Sequence, residues 1–412
     1  MTSASHPTAA DIGLDSHTLQ VTPGVLTIDL DAIVANWKAL ESRTVPAECS
    51  AVIKADAYGC GLTPVTRKLA SAGCKTFFVA TLAEAKQARE AAPKAVIYVL
   101  NGLFANCGDD FAKIDARPVI GDLNELAEWD AFRRTRGWRG QAALQINTGM
   151  NRLGLNPDEA RGLAPRIREP DHGIALVLSH LACAEDVANP MNGRQLAAFR
   201  DVASEFSGVP ASLVNSSGIF LGPHFHMDLA RPGAALYGLN PTPGSDNPMQ
   251  PVIGLKVRIA QIRSVPKDET VGYGALWHAK RPTRLAIVSA GYADGYFRAA
   301  SGIEGTRSAQ VVVAGQRCPI VGRVSMDLMA IDITDVPHGA VRRGHFVTLI
   351  GDGITADELS HHFGTIGYEV LTSLGHRYAR DYRGAVPGSK TAAEKPATEP
   401  EKSPADPEGA SA

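Results

Sequence analysis

The middle of the chain alternates short apolar runs with helix-like stretches, and this alternation restricts the fold more than any other feature. Eight runs typical of buried strands lie between Ser50 and Gly233: SAVIKA, FFVA, AVIYVL, PVIG, AALQIN, IALVLSH, SLVNS and MDLA. The segments between them carry apolar residues at helical spacing, as in DLNELAEW. Regular alternation of strand and helix indicates parallel βαβ units, and eight units suit a closed, TIM-like (β/α)8 barrel. An open, doubly wound sheet is the alternative.

After about Pro251 the pattern changes to consecutive strand-like runs with Gly-containing turns. These runs are LKVRIAQIRSV, LAIVSAG, AQVVVAG, LMAIDIT and FVTLIG, and only ADELSHHFG is helix-like. We therefore expect an α/β barrel domain over residues 23–246 and a mostly-β domain over residues 247–385. The strand VLTIDL at 25–30 is a ninth candidate for eight barrel positions, so we expect it to pair with the C-terminal part.

The two ends of the chain are expected to be disordered, over residues 1–22 and 386–412. The C-terminal segment is almost wholly Pro, Glu, Lys, Ala, Ser and Gly, so it cannot bury enough apolar surface to offset its ordering entropy. The N-terminal segment is similar though less extreme.

Composition excludes several classes of protein. The net charge of −2 gives no reason to expect a nucleic acid or an anionic membrane as partner. No apolar run reaches membrane-spanning length, and the polar N-terminus lacks the features of a secretory signal. The 6 cysteines form no CxxC pair, which is typical of reduced thiols rather than a disulfide frame or zinc site. These features predict a soluble, cytoplasmic protein of enzyme size without a metal.

A lysine at the end of the first strand, in AVIKADAYGCG (51–61), is the first candidate for chemistry. The C-terminal ends of barrel strands hold the active site. A lysine partly desolvated there has a lowered pKa and can act as a Schiff-base nucleophile. Most lysines that end strands are simply solvated, so this segment alone leaves the role of Lys54 open.

Later strand ends bring further polar groups toward the same mouth. Arg152 follows the strand in QINTGMNRLG (145–154), and His180 ends the strand in LSHLACAED. NSSGI (215–219) and ARPGAALYG (230–238) place hydroxyls and small residues where backbone amides can cradle a phosphate. The Walker and dinucleotide fingerprints are absent, so neither a nucleoside triphosphate nor NAD is suggested. Taken singly, an exposed arginine and a core histidine are the plainer interpretations.

The β domain contains several tyrosines beside glycine. In VGYGALW (271–277) Tyr273 stands between two glycines, where its phenol can project from a tight turn. AGYADGYFR, GRVSMDLMAID and GYEVLTSLGHRYAR follow along the chain. Such tyrosines are often only turn anchors, so each segment alone is a weak indication.

In this order the segments KADAYGCG, NTGMNRLG, SHLACA, ARPGAALYGLNP, VGYGALW, AGYADG and GRVSMD resemble those of bacterial alanine racemases. These are pyridoxal 5′-phosphate (PLP) enzymes built from an α/β barrel and a β domain. The resemblance spans about residues 25–385. It implies an isomerase that interconverts L- and D-alanine, supplying D-alanine for peptidoglycan or catabolising it. It also implies a head-to-tail homodimer in which Tyr273 enters the partner's barrel.

The resemblance implies a role for each matching residue. Lys54 is expected to bind PLP covalently and to form, with Tyr273, a pair of opposed proton-transfer bases. The other residues expected to hold the cofactor are Tyr58, Ser216, Gly233, Ala234 and Tyr368 at the phosphate and Arg231 at the pyridine nitrogen. Arg152 and the Met326 backbone are expected to hold the substrate carboxylate. A tyrosine has an ordinary pKa of about 10, so His180 and Arg152 are expected to assist Tyr273.

Two departures from the family pattern stand out. Gln145 and Asn147 replace a lysine, often carbamylated, and an aspartate found in much of the family. Gln145 cannot be carbamylated, but its amide could hydrogen-bond Arg152 directly. The acid pair Glu185–Asp186 stands in reversed order near the expected access path, which leaves substrate access open to change.

Three alternatives remain beside an alanine racemase. A PLP-dependent decarboxylase would pair the pyridine nitrogen with an acid and use a Gly-rich phosphate loop, whereas this chain has Arg231 and no such loop. A non-catalytic PLP-binding protein would be a barrel alone, without the β domain and Tyr273. A racemase of broader range, acting for example on serine, stays open because pocket width cannot be read from sequence.

Overall fold

The computed structural model describes residues 14–384, so the expected disorder of residues 1–13 and 386–412 lies outside the described part. Within the N-terminal arm a short helix forms instead, α1 (Ser16–Val21). The Asp15 carboxylate accepts a hydrogen bond from the Thr18 N–H at 2.8 Å, and Arg258 donates to the Leu19 carbonyl oxygen. The composition of this segment alone predicted disorder, but the cap at Asp15 and the bond from Arg258 hold it in a helix.

The barrel strands follow β1 (Gly24–Asp29) along the chain. They are β2 (Glu48–Cys49), β3 (Ala51–Val52), β4 (Thr76–Val79), β5 (Val96–Val99), β6 (Arg117–Ile120), β7 (Ala142–Gln145), β8 (Ile174–Leu178), β9 (Ala211–Ser212) and β10 (Leu229–Ala230). The helical segments are α2 (Leu30–Thr44), α3 (Lys54–Tyr58), α4 (Leu62–Ser71), α5 (Leu82–Ala91), α6 (Gly108–Ile114), α7 (Leu123–Arg136), α8 (Pro157–Leu163) and α9 (Pro190–Ala203). Short 3-10 helices cover Ala164–Arg168, Ser217–Leu221, Pro223–Phe225 and Ala234–Tyr237. No helix within residues 14–384 has the length and apolar character needed to cross a bilayer.

Hydrogen bonds between neighbouring strands run round the whole barrel. Strands β3 to β9 form one parallel sheet in chain order, and β2 pairs in parallel with β10. The backbone N–H groups of Asp228 and Arg231 donate to the carbonyl oxygens of Ala211 and Val214, at 3.0 Å each, and join β10 to β9. Only Ser50 separates β2 from β3. The segment β2–β3 and the strands β4 to β10 therefore occupy eight positions.

The β domain is built on an eight-stranded sheet that includes β1. Its other strands are β11 (Ile253–Val265), β12 (Thr283–Val288), β13 (Gln310–Val313), β14 (Gln316–Val321), β15 (Met329–Asp332), β16 (Phe346–Ile350) and β17 (Ala379–Arg383). Its helices are α10 (Ala356–Phe363) and α11 (Gly367–Ser373), with 3-10 turns at Tyr292–Asp294 and Arg298–Ala300. Strand β1 pairs antiparallel with β11 and parallel with β17, as predicted for the ninth strand. The predicted fold, a barrel followed by a mostly-β domain, is confirmed.

Three elements of the β domain were not predicted from the sequence. Strand β14 contains Pro319, which cannot donate a ladder hydrogen bond, and β17 is the polar run ARDYR. Helix α11 is short and carries Val370 and Thr372, whose β-branched side chains favour strands. The expectation of a single helix in this domain is therefore wrong.

Candidate active site

Only Ile53 separates Lys54 from β3, and the four residues after Lys54 adopt a left-handed helical turn. Residues 55–58 have φ values between 52° and 54°, and Gly59 follows at 81°. We call Lys54–Tyr58 the lysine turn. Each non-glycine residue in this conformation costs roughly 1–2 kcal/mol, so the four together store on the order of 4–8 kcal/mol of local strain. Contacts around the lysine turn must offset that strain.

A cavity of about 540 Å³ lies at the C-terminal ends of the barrel strands. Ten of the residues predicted from the sequence line it: Lys54, Tyr58, Gln145, Arg152, His180, Ser216, Arg231, Gly233, Ala234 and Tyr368. Parallel strands all end at the same face of a barrel, which brings side chains from distant segments together. Tyr368 belongs to α11, so the β domain also contributes to the cavity wall.

The surroundings of the Lys54 amine disfavour its charged form. Burial lowers the pKa of Lys54, and the positive charge of Arg152 lowers it further, while Glu84 acts in the opposite direction. A neutral amine is required both for nucleophilic attack and for accepting a proton. The environment of Lys54 therefore suits both tasks.

Arg231 lies fully inside the protein and hydrogen-bonds neutral acceptors. It donates to the carbonyl oxygens of Ser179 at 2.6 Å and Leu213 at 3.4 Å, and to the Ser212 hydroxyl. Burial lowers the pKa of Arg231 to about 10, so it remains a cation at neutral pH. Burial, reinforced by Arg231, lowers the pKa of the neighbouring His180 to about 3. His180 is thus neutral at neutral pH, and it can act as a hydrogen-bond donor or acceptor but not as a cation.

Hydroxyl and amide groups also converge in the wall of the cavity. The Ser216 hydroxyl accepts hydrogen bonds from the backbone N–H of Gly233 at 2.9 Å and of Ala235 at 3.2 Å. A methyl group on Gly233 would come within 2.4 Å of the Tyr58 hydroxyl, so only glycine allows this close approach. Burial raises the pKa of Tyr58 to about 12, which keeps its phenol protonated as a donor. Such a group of donors is suited to an anion.

Tyr368 closes this side of the cavity from the β domain. Its ring centroid lies 6.2 Å from that of Tyr58, and its hydroxyl donates to the Glu185 carboxylate at 3.2 Å. Burial raises the pKa of Tyr368, and the negative charge of Glu185 adds to the effect. Of the acid pair, Glu185 is therefore the member that contacts this tyrosine.

Gln145 does not bond Arg152, and the expected direct contact is wrong. Its side-chain N–H donates to the Leu153 carbonyl oxygen at 3.2 Å, and no hydrogen bond joins its side chain to Arg152. The Asn147 side-chain oxygen accepts from the backbone N–H groups of Gly149 and Asn151, at 3.0 Å each. Amides therefore brace the loop that carries Arg152 rather than the guanidinium. Over residues 14–384 no hydrogen bond or ion pair of Arg152 forms, which leaves its donors available.

Two predicted residues lie away from the cavity. The side chains of Tyr273 and Met326 project from the β domain, and they are 70% and 53% exposed. Neither lines the cavity of its own chain.

The amino-acid sequence matches the same family over nearly all of the folded part. The family models for the alanine racemase N-terminal domain and C-terminal domain match residues 28–241 and 252–382. The chain belongs to the alanine racemase family. An alanine racemase from Methylobacterium sp. (strain 4-46) is 52% identical over 357 residues, covering 87% of this chain and 97% of the relative.

Solved alanine racemases share the fold. The enzyme from Bartonella henselae, with covalently bound pyridoxal phosphate, superposes with a TM-score of 0.81 at 37% identity, covering 88% of this chain and 99% of that one. The biosynthetic enzyme from Pseudomonas aeruginosa gives a TM-score of 0.80 at 34% identity, covering 88% and 100%. Alanine racemases are PLP-dependent isomerases, so the predicted family, enzyme class and cofactor are confirmed.

The residues of the cavity fit PLP. The amine of Lys54 suits its aldehyde, and the hydroxyl groups of Ser216 and Tyr58 suit its phosphate. The buried cation of Arg231, with no carboxylate bonded to it among the described residues, suits an unprotonated pyridine nitrogen.

The sequence analysis missed one polar group beside Lys54 of this alanine racemase, the carboxylate of Glu84. The Glu84 carboxylate accepts hydrogen bonds from the backbone N–H groups of Ala55 at 2.7 Å, Ala80 at 2.8 Å and Thr81 at 3.1 Å. The signal was present, because Thr81 and Glu84 have the spacing of a capping box at the start of α5. Asn101, Asn215 and Thr372 also line the cavity without having been predicted.

Proposed function

We propose that this alanine racemase acts as a head-to-tail homodimer in which Lys54 of one chain and Tyr273 of the partner are the two opposed bases. The observation that carries the proposal is the separation of these groups. Lys54 lies in a cavity that fits PLP, whereas Tyr273 is 70% exposed on the β domain. Because Tyr273 does not line the cavity of its own chain, we infer that it completes the site of a partner.

Racemisation requires a proton to leave one face of Cα and another to arrive at the opposite face. PLP, when bound, supplies a conjugated system that delocalises the electron pair left at Cα. For one enantiomer Lys54 Nζ takes the α-proton, and the Tyr273 phenol delivers a proton to the other face. For the other enantiomer the two residues exchange roles.

The remaining side chains position the substrate and limit side reactions. Arg152 offers free donors at the mouth, where the substrate carboxylate would bind together with the Met326 backbone of the β domain. Arg231 presents a permanent cation to the pyridine nitrogen, which disfavours its protonation and so limits reactions such as transamination. Tyr58, Ser216, Gly233, Ala234 and Tyr368 would hold the phosphate. The neutral His180 would align neighbouring groups through hydrogen bonds.

Four exposed apolar or aromatic side chains of the β domain support the dimer. Tyr273, Met326, Leu328 and Tyr292 are 70%, 53%, 44% and 44% exposed. The Tyr292 N–H bonds the Ser325 carbonyl oxygen at 3.1 Å, which keeps two of these segments together. Exposed apolar patches are typical of protein–protein contacts. In such a dimer the barrel domain (23–246) of one chain would face the β domain (247–385) of its partner. Within each chain, β1 belongs to the β-domain sheet although it lies in the barrel range.

Such an enzyme would act in the cytoplasm. There it would supply D-alanine for peptidoglycan or catabolise it.

Mixing two inactive variants tests the shared site. Lys54→Ala keeps Tyr273, and Tyr273→Phe keeps Lys54, so a mixed dimer contains one intact site and one doubly altered site. Random re-association should give about half mixed dimers, and hence about a quarter of the wild-type racemase rate. Recovery measured after dissociation and re-association would support the proposal. A mixture no more active than its parents would place both bases in the same chain or refute their roles.

A further inference from the structure

The strained lysine turn is held at its beginning by Glu84. One oxygen of this carboxylate accepts the N–H of Ala55, the first residue of the left-handed segment. The other oxygen accepts the N–H groups of Ala80 and Thr81, at the end of β4. Glu84 therefore fixes the peptide that follows Lys54 to the neighbouring barrel strand.

The same turn is held at its end by β17 of the β domain. Arg380 donates to the Gly59 carbonyl oxygen at 2.5 Å, and its guanidinium lies 3.7 Å from the Asp56 carboxylate. Asp56 in turn accepts the N–H of Leu62 at 2.7 Å, at the start of α4. The hydroxyl of Tyr382 packs so closely that a methyl group on Gly61 would come within 2.1 Å of it.

We propose that Glu84 and Arg380 are positioning residues for the reaction, which clamp the lysine turn at its two ends and so keep Lys54 and Tyr58 directed into the cavity. The proposal rests on the proposed function, in which Lys54 carries the cofactor. Lys54 and Tyr58 bracket a segment whose residues would otherwise favour negative φ. If the segment relaxed, the covalent anchor and the phosphate donor would lose their relative position.

The two clamps join the lysine turn to different parts of the molecule. Glu84 belongs to α5 of the barrel. Arg380 belongs to β17 of the β-domain sheet, and Tyr273 lies in the connection between two strands of that sheet, β11 and β12. The β domain is thereby connected to the lysine turn within its own chain, besides the contact proposed across the dimer.

The test measures how fast hydroxylamine removes PLP from the full-length holoenzyme. Glu84→Gln and Arg380→Met are each expected to accelerate release about ten- to hundredfold, because each loses a charge-assisted hydrogen bond. Glu125→Gln is the matched control. Its carboxylate makes equivalent bonds to Leu103 N at 3.0 Å and Gly121 N at 2.9 Å, away from the lysine turn, and should release PLP at the wild-type rate.

A second substitution separates clamping from general loss of stability. Ala55→Gly places a residue that tolerates positive φ at the start of the segment, so the double variant Glu84→Gln/Ala55→Gly should release PLP several-fold more slowly than Glu84→Gln. The pH at which PLP re-addition is half-maximal should also fall in Glu84→Gln. The Glu84 charge raises the pKa of Lys54, and PLP reacts with the neutral amine, so without that charge the amine reacts at lower pH. Arg380→Met should leave that midpoint in place.

Each outcome decides the proposal. Faster release in Glu84→Gln and Arg380→Met, absent in Glu125→Gln and reversed by Ala55→Gly, supports it. Wild-type release rates, equal acceleration in Glu125→Gln, or no reversal by Ala55→Gly would overturn it. Borohydride reduction followed by peptide mass analysis tests separately whether Lys54 carries PLP. If wild-type Lys54 carries no PLP, the proposed function fails together with the clamp.

Discussion

Replacing Lys54 by alanine is expected to abolish racemisation in both directions, with a loss of at least about 10⁴-fold in kcat, since the covalent anchor and one base disappear together. The measurement is chiral chromatography of L- and D-alanine at saturating substrate with added PLP. Lys113→Ala, which removes a lysine whose side chain is 71% exposed, should keep the wild-type rate. Substantial residual racemisation in Lys54→Ala would show that another amine holds the cofactor.

Replacing Tyr273 by phenylalanine is expected to reduce racemisation by about 10²–10⁴-fold, because the substitution removes one proton-transfer group and leaves the apolar ring. Its effect should also be unequal between the enantiomers. The enantiomer served by Lys54 should still exchange its α-proton with solvent, while inversion is lost. NMR of Cα exchange in deuterated water, run separately on L- and D-alanine, measures both quantities. Equal exchange of both enantiomers at wild-type rates would contradict the role of Tyr273.

The barrel and much of its cavity could be predicted because both follow from strand order. The apolar runs that alternate with helical segments predict eight parallel strands, and in a barrel the residues after these strands meet at one mouth. Lys54, Arg152 and His180 come together for this reason, although each segment alone was a weak indication. The resemblance to alanine racemases then supplied roles that spacing could not.

Other parts of the site depend on contacts between distant residues. The sequence placed Lys54 at the end of a strand, and nothing local in KADAY predicts four positive φ values after it. The left-handed turn is sustained by Glu84 and Arg380, which lie 29 and 321 residues from the groups they bind. The bond from Gln145 to Leu153 likewise depends on which acceptor the fold brings within reach.

The most direct test of the central claim is the source of the proton on the product. Wild-type holoenzyme is given L-alanine in deuterated water, and substrate and product are analysed early, before reversal. A two-base reaction predicts D-alanine that carries deuterium at Cα while the remaining L-alanine is unlabelled, because the incoming proton comes from a group different from the one that removed it. D-alanine that retains the original α-proton would show a single base serving both faces, and would contradict the account of Lys54 and Tyr273.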